Sequence, residues 1–467
     1  MEQRHTPGRE SFRGSLGFIM ASAGSAVGLG NIWRFPYLAA KNGGGLFLVV
    51  YLLLAATFGF SLLTTEIAIG RKTRRSPLKA YTALHPKAGW IGVIACIVPM
   101  MIMPYYCVIG GWVLKYGAAY LTGGGAAAAE DGYFDAFTGN QVEPVVYLLV
   151  FLLLCAVVVY KGVDKGIERF SKVLMPVLVL MVLGVAVYSL TLRKEVDPDK
   201  VVTGLHGFRI FIVPSFEGLT VSGLFHTVVD AVTQLFYSLS IAMGILITYG
   251  SYVPDDTNLV RSVGVIEIFD SLIAFLAGAM VIPAVYVFMG PEGLSSSGPS
   301  LLFISLPRIF AEMGSLGTGI GIAFFVMVFF AAITSGISIM EAVVSSLMER
   351  FSWSRKKAVV VETLIALAIG IIVCFGYNLL RFTIRLPNGN DAQLLDVVDF
   401  LSNNLLMPVV AISTCILIGW VVGPAAVTDE VTKDGSRFRR KAVLNVMIRF
   451  LAPVMVIIIL LTSFGVL

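Results

Sequence analysis

The sequence predicts an all-α integral membrane protein with 11 transmembrane helices. It reads as two inverted five-helix repeats with unwound helices 1 and 6, followed by one additional helix. Three observations predict this. Of the 467 residues, 57% are hydrophobic and only 13% are charged, where a soluble domain is about a quarter charged. Apolar runs of about 20 residues, the length that crosses a bilayer, recur eleven times. Two of them, the first and the sixth, are interrupted in mid-span. Interruptions at corresponding positions of two halves point to inverted repeats with a binding site at the midplane.

In order, the runs cover roughly 16–38, 43–70, 89–122, 144–161, 167–192, 222–251, 259–290, 316–349, 356–377, 394–424 and 441–465. The chain then reads as a single membrane domain over 1–465. The first repeat is 16–192, the inverted second repeat is 222–424, and 441–465 is the additional helix 11. Three connections are long. Residues 123–143 contain GGGAAAAEDG and read as mobile. Residues 193–221 read as a polar loop. Residues 291–315 carry an apolar stretch, Leu301 to Phe310, expected to form a short re-entrant helix. With the N-terminus inside, about 23 Lys and Arg fall on the inner side and about 8 on the outer. That bias sets the expected orientation: a multi-pass protein of the cell membrane, N-terminus cytoplasmic and C-terminus extracellular. The first apolar run follows a polar, Arg-bearing start and continues past Asn31 and Arg34 with no cleavage signal, so a retained helix is expected.

Several function classes find no support. The basic residues lie in short loops and form no stripe, so no nucleic acid is expected despite the net charge of +5. Cys96, Cys107, Cys155, Cys374 and Cys415 form no CxxC pair, and the four histidines are scattered. Neither a disulfide nor a His-based metal centre is expected. No nucleophile with its base is visible, so the chain is not expected to be an enzyme and no catalytic residue is named.

The breaks carry the functional signal. The first reads Gly24-Ser-Ala-Val-Gly-Leu-Gly-Asn31-Ile-Trp-Arg34-Phe-Pro36. Glycine costs a helix about 1 kcal/mol against Ala and Pro about 3. Gly24 and Gly28 also make a GxxxG pair, which close helix packing would explain. The sixth run reads Gln234-Leu-Phe-Tyr237-Ser238-Leu-Ser240-Ile-Ala-Met243-Gly244; hydroxyls bonding back to their own helix would explain it alone. The pairing of the two favours a site. Irregular backbone at membrane depth survives only where it is buried in protein or lines a cavity. Broken ends offer N–H groups to an anion and C=O groups to a cation.

These residues resemble the neurotransmitter:sodium symporter family. GSAVGLGNIWRFPY at 24–37 and NGGG at 42–45 carry the resemblance. It recurs in order through Glu66 before Gly70-Arg71, Tyr105-Tyr106, KGIERFSK at 165–172, Gln234 to Tyr252, Ala331 to Ser335 and Asp396 to Phe400. It covers about residues 9–465 and is nearest to prokaryotic amino-acid members. A twelfth span, present in many relatives and lacking in some bacterial ones, has no counterpart here.

The resemblance implies two Na⁺ sites. One would use the Ala26 carbonyl, Asn31, Ser238 and Asp270, together with the substrate carboxylate. The other would use carbonyls of Gly24, Val27 and Ala331 with the hydroxyls of Thr334 and Ser335. All are oxygen donors, as a hard cation requires. The implied substrate pocket is Ser25, Ala26, Gly28, Gly30, Ile102, Tyr106, Tyr237, Ser238, Ser240, Met243, Ser335 and Ile339. Monoamine carriers of the family place an Asp where this chain has Gly28, which leaves room here for a substrate carboxylate. Met243 replaces the Phe of the leucine carrier and adapts its shape. A neutral hydrophobic amino acid, aliphatic or aromatic, is the implied substrate, and the lipid bilayer the other partner.

Arg34 and Asp399 resemble an outer gate pair, with Tyr106 and Tyr237 as the lid beneath. Arg9 and Glu349 would pair on the inner side, near Phe12 and Tyr252. Glu66 is expected to brace the break of the first span. In animal relatives a chloride lies beside the first sodium, held partly by a Ser whose position is Ala274 here. Asp270, one turn earlier, is expected to supply that negative charge, so no chloride is expected. The implied function is sodium-coupled symport by alternating access. The alternative is a membrane sensor that binds solute without moving it.

Overall fold

The computed structural model describes residues 10–198, 200–216, 219–295 and 298–467. Nine of its helices are long and apolar enough to cross a membrane: Gly45–Thr73, Pro86–Leu121, Glu143–Tyr160, Val163–Leu190, Leu259–Gly293, Ser315–Phe351, Arg355–Phe375, Leu394–Val421 and Lys441–Ser463. A tenth arises if Ser15–Ala26 and Gly30–Lys41, bent by 51°, count as one span. The eleventh expected span is the interrupted segment Val221–Ser238 and Ile245–Gly250. His226, Asp230 and Gln234 dilute its apolar character.

Solvent preference explains the packing. Large apolar side chains such as Leu53, Val173, Leu180, Leu364 and Trp420 point outward, which water would penalise and lipid tails do not. The buried set includes polar and charged groups such as Asn31, Glu66, Arg71, Asp270, Glu341 and Glu362. This inversion of the usual pattern places the polar business of the molecule in its centre.

Both interruptions are local consequences of sequence. In the first, Val27 leaves the helix in an extended conformation (φ −77°, ψ 92°). The chain re-enters a wide helical turn at Gly30 and a regular helix at Phe35, with Pro36 in the first turn, where a missing N–H costs nothing. In the second, Ser240, Ala242 and Gly244 all have positive φ (54°, 64° and 71°). Two of these carry a Cβ, at a cost of about 1–3 kcal/mol each. Glu66 offsets part of it: the Ala242 N–H donates to Glu66 Oε1 at 2.7 Å. The expected brace of the first break therefore holds the sixth, because its carboxylate meets the free N–H that the left-handed residues turn out of the helix.

The connections depart from the sequence reading. Residues 123–143, expected to be mobile, contain the short helices Gly125–Ala128 and Tyr133–Gly139. Phe134 stacks on Phe303 at 5.3 Å and lies edge-on to Trp112 at 5.1 Å, which anchors them. The supposed polar loop after residue 192 forms an antiparallel hairpin, Arg193–Asp197 with Lys200–Thr203, and then the helix Gly204–Ile212. A second small hairpin pairs Ile384–Arg385 with Asp391–Ala392. The fold is thus helical with two minor hairpins in connections. Leu301–Ser305 and Leu306–Glu312 supply the expected short helix.

Candidate functional site

The two breaks meet. The Ser25 and Ser240 hydroxyls are 3.2 Å apart, and Ser240 Oγ donates to the Ser25 carbonyl at 3.1 Å. Around them opens a cavity of about 640 Å³. All twelve residues expected to line a substrate pocket border it, from Ser25, Ala26, Gly28 and Gly30 through Ile102, Tyr106, Tyr237, Ser238, Ser240 and Met243 to Ser335 and Ile339. The lining is mixed: Ile102, Met243 and Ile339 are apolar, while hydroxyls surround the breaks. Tyr106 presents a buried hydroxyl with no hydrogen-bond partner among the described residues. A Cβ on Gly28 would stand 3.1 Å from Ser335 Oγ and 4.0 Å from the Tyr106 hydroxyl.

Behind the cavity wall formed by Asn31 and Ser238 lies a carboxylate. Asp270 is fully buried. Its Oδ1 accepts from Asn31 Nδ2 at 2.9 Å and from the Ser238 hydroxyl. Its Oδ2 accepts from the Tyr51 hydroxyl at 2.8 Å. Asn31 Oδ1 in turn accepts from the Gly28 N–H at 3.3 Å. Asn31, Ser238 and Asp270 are thus brought together as expected, beside Ala26. Ala274 is buried one turn beyond Asp270 on the same helix. Tyr51 was missed, though a lone polar ring in the run Leu46–Leu54 was a readable signal. Every donor to this carboxylate is uncharged. A buried carboxylate without a cation is costly, and hydrogen bonds from neutral groups offset only part of that cost.

A second cluster gathers across the first break. Ser335 Oγ donates to the carbonyls of Gly24 and Ser25 at 3.4 and 3.2 Å. Thr334 Oγ1 donates to the Ala331 carbonyl at 3.1 Å. The Thr334 Cβ would lie 3.2 Å from a Cβ added at Gly24. Gly24, Ala331, Thr334 and Ser335 therefore share one spot, and Val27 follows three residues after Gly24 at the break.

The outer gate residues are arranged differently from the expectation. Arg34 and Asp399 both line the cavity, yet no ion pair within 4.0 Å joins them. The Arg34 guanidinium lies over the Tyr237 ring, 4.6 Å from its centroid. Asp399 Oδ1 accepts from Asn403 Nδ2 at 2.6 Å. On the opposite face, Glu349 binds Arg75 Nη1 at 3.0 Å and the Ser76 N–H at 2.6 Å; Arg9 lies outside the described residues. Phe12 is buried against Tyr249 and Phe18, each 5.8 Å away, and against Tyr252 at 6.3 Å. Its N–H donates to the Tyr252 carbonyl. The Tyr252 hydroxyl donates to Glu341 Oε1 at 2.7 Å, and Arg355 pairs with Glu341 Oε2 at 2.5 Å. Glu341 was not singled out from sequence, although a carboxylate inside an apolar span is a strong pointer.

Comparison with known proteins places the chain in a family. Residues 9–125 and 139–467 match the sodium:neurotransmitter symporter family. An uncharacterized sodium-dependent transporter, YhdH of Bacillus subtilis (strain 168), is 33% identical over 97% of both chains. The sodium- and chloride-dependent GABA transporter 2 of Rattus norvegicus is 25% identical over 92% of this chain and 76% of its own. The crystal structure of MhsT in complex with L-phenylalanine superposes with a TM-score of 0.84 at 34% identity, covering 98% of this chain and 100% of that one. A family of transporters, not enzymes, accounts for a cavity of mixed lining wrapped in lipid-facing helices: the chain belongs to the sodium:neurotransmitter symporter family.

Proposed function

We propose that the chain imports a neutral hydrophobic L-amino acid, aliphatic or aromatic, by sodium-coupled symport with alternating access and without chloride. The observation that carries this reading is Asp270: a buried carboxylate held, among the described residues, by Asn31, Ser238 and Tyr51. Na⁺ is its natural partner, completed by the Ala26 carbonyl and the substrate carboxylate. The space beside Gly28, with the free Tyr106 hydroxyl and the N–H groups of the break, suits that carboxylate. Gly24, Val27, Ala331, Thr334 and Ser335 form the second sodium site. The phenylalanine bound to MhsT supports an aromatic or large aliphatic substrate, and Met243 adapts to either.

Asp270 supplies the negative charge that chloride gives elsewhere, and it takes up a proton when Na⁺ leaves. In this reading the face of Phe12 is cytoplasmic and Leu467 is extracellular. The eleven spans form two inverted repeats, 16–192 and 222–424, with 441–465 added. Uptake of labelled phenylalanine and leucine into proteoliposomes tests it. A Na⁺ gradient should drive accumulation, and K⁺ should not. Equal uptake in both would refute coupling, and Na⁺-dependent binding without accumulation would favour the sensor.

A further inference from the structure

The rim of the cavity opposite Phe12 holds its gate groups with neutral partners. The Tyr237 hydroxyl donates to Asn404 Oδ1 at 2.8 Å. Arg34 stacks on the same ring, a cation–π contact. The neighbouring Asn403 donates to Asp399 and, at 3.1 Å, to the Tyr105 hydroxyl. Both asparagines lie in the wide-turned stretch Phe400–Leu406 and both border the cavity. Two consecutive side chains thus engage the lid tyrosine and the gate carboxylate. Only the hydroxyl of Tyr237 makes the first of these contacts; the ring alone would leave Asn404 Oδ1 unbonded.

Resting on the symport reading above, we propose that Asn404 is a positioning residue for occlusion. It holds Tyr237, and through its ring Arg34, away from the substrate. Closure then exchanges the Tyr237–Asn404 hydrogen bond for contact between the Tyr237 ring and the substrate, and frees Arg34 to meet Asp399. A neutral hydrogen bond has a small net value, equivalent to about a threefold to tenfold change in an equilibrium. That is enough to bias the open state and small enough to be broken in each cycle.

The test uses the full chain in proteoliposomes with a reporter, Thr233→Cys, on the cavity wall; the five native cysteines are buried. Labelling by a charged thiosulfonate is timed in Na⁺ without substrate, and the apparent affinity for labelled phenylalanine is measured in parallel. Tyr237→Phe and Asn404→Ala should each slow labelling about threefold to tenfold and tighten apparent affinity by a similar factor. The double variant should go no further than either single one. A purely structural bond would instead weaken affinity when cut. Additive effects, weaker binding, or unchanged labelling in both single variants would overturn the proposal. Labelling needs no substrate, so it judges the latch even if Na⁺-dependent phenylalanine binding is absent in the wild type. That absence would count against the symport reading alone.

Discussion

The two faces of the molecule hold their gate residues by different chemistry. On the face of Phe12, charges pair with charges and aromatic rings fill the space between. Arg355 meets Glu341, Arg75 meets Glu349, and Phe12 sits among Phe18, Tyr249 and Tyr252. On the opposite face the two gate charges bind neutral groups: Arg34 lies on Tyr237 and Asp399 accepts from Asn403. The first arrangement is sealed and expensive to open, because breaking a buried ion pair strands a charge. The second is open and cheap to change. The difference teaches that a closed face is recognised by where the charges find each other, not by which residues carry them.

The largest effect should fall between the faces. Gly28→Asp puts a Cβ 3.1 Å from Ser335 Oγ and its carboxylate in the space assigned to the substrate carboxylate. Like charges at low dielectric repel strongly. Amino-acid binding should fall at least about a hundredfold, equivalent to roughly 3 kcal/mol. Normal binding by a well-folded variant would move the pocket elsewhere.

Next in size is the sealed face. Arg355→Ala strands Glu341, a loss of about 3–5 kcal/mol for a buried pair. Thermal unfolding should come several degrees earlier, and a thiol placed at Phe12 should become reactive in the absence of Na⁺. Unchanged reactivity would erase the contrast between the faces.

The ion itself comes third. Wild-type uptake should be equal in sodium gluconate and sodium chloride, while Asp270→Asn should lose about tenfold in sodium affinity, near 1.4 kcal/mol. Chloride dependence in the wild type would end the assignment of Asp270. The smallest effect lies in a surface network on the Phe12 face, where Asp255 meets Arg74 and, at 3.1 Å, Lys433. Partial burial raises the Asp255 pKa, but hydrogen bonds from Lys433 and Arg74 outweigh it and leave the group below its ordinary value. A lowered folded pKa gives stability that is present above the unfolded value and lost as pH falls through the folded one. That window lies below about pH 4. Asp255→Asn should flatten the melting temperature against pH there by only a degree or so, since half-exposed pairs are worth little.

Much of this was legible in the sequence, for identifiable reasons. Apolar length marks spans, so the helix ends agree to within a few residues over most of the chain. Glycine, proline and clustered hydroxyls mark breaks, and the breaks located Ser25, Gly28, Ser238 and Ser240. Pairings were harder. Tyr51 and Asp270 are 219 residues apart, and nothing local links them. Glu66 was credited to the wrong break because a carboxylate's partner is set by which N–H is left free. Left-handed backbone at Ser240 and Ala242 could not be foreseen from residues that usually avoid it. The gate residues were found, but their partners depend on which face is open, and composition carries no trace of that.

The interrupted segment at 239–244 also constrains how the protein can be made. The helix beyond it, Ile245–Gly250, has only six residues, too few to hold together alone. The Ala242 N–H beside it, turned out of the helix, cannot rest in lipid without a partner. That partner, Glu66, comes from 176 residues earlier in the chain, and the hydroxyl facing Ser240 from 215 residues earlier. During biogenesis the second helix must therefore already stand in the membrane, unpaired and waiting, when this segment leaves the ribosome. The cavity depends on both segments, and an insertion defect in either would leave most of the helices but disturb the site they share.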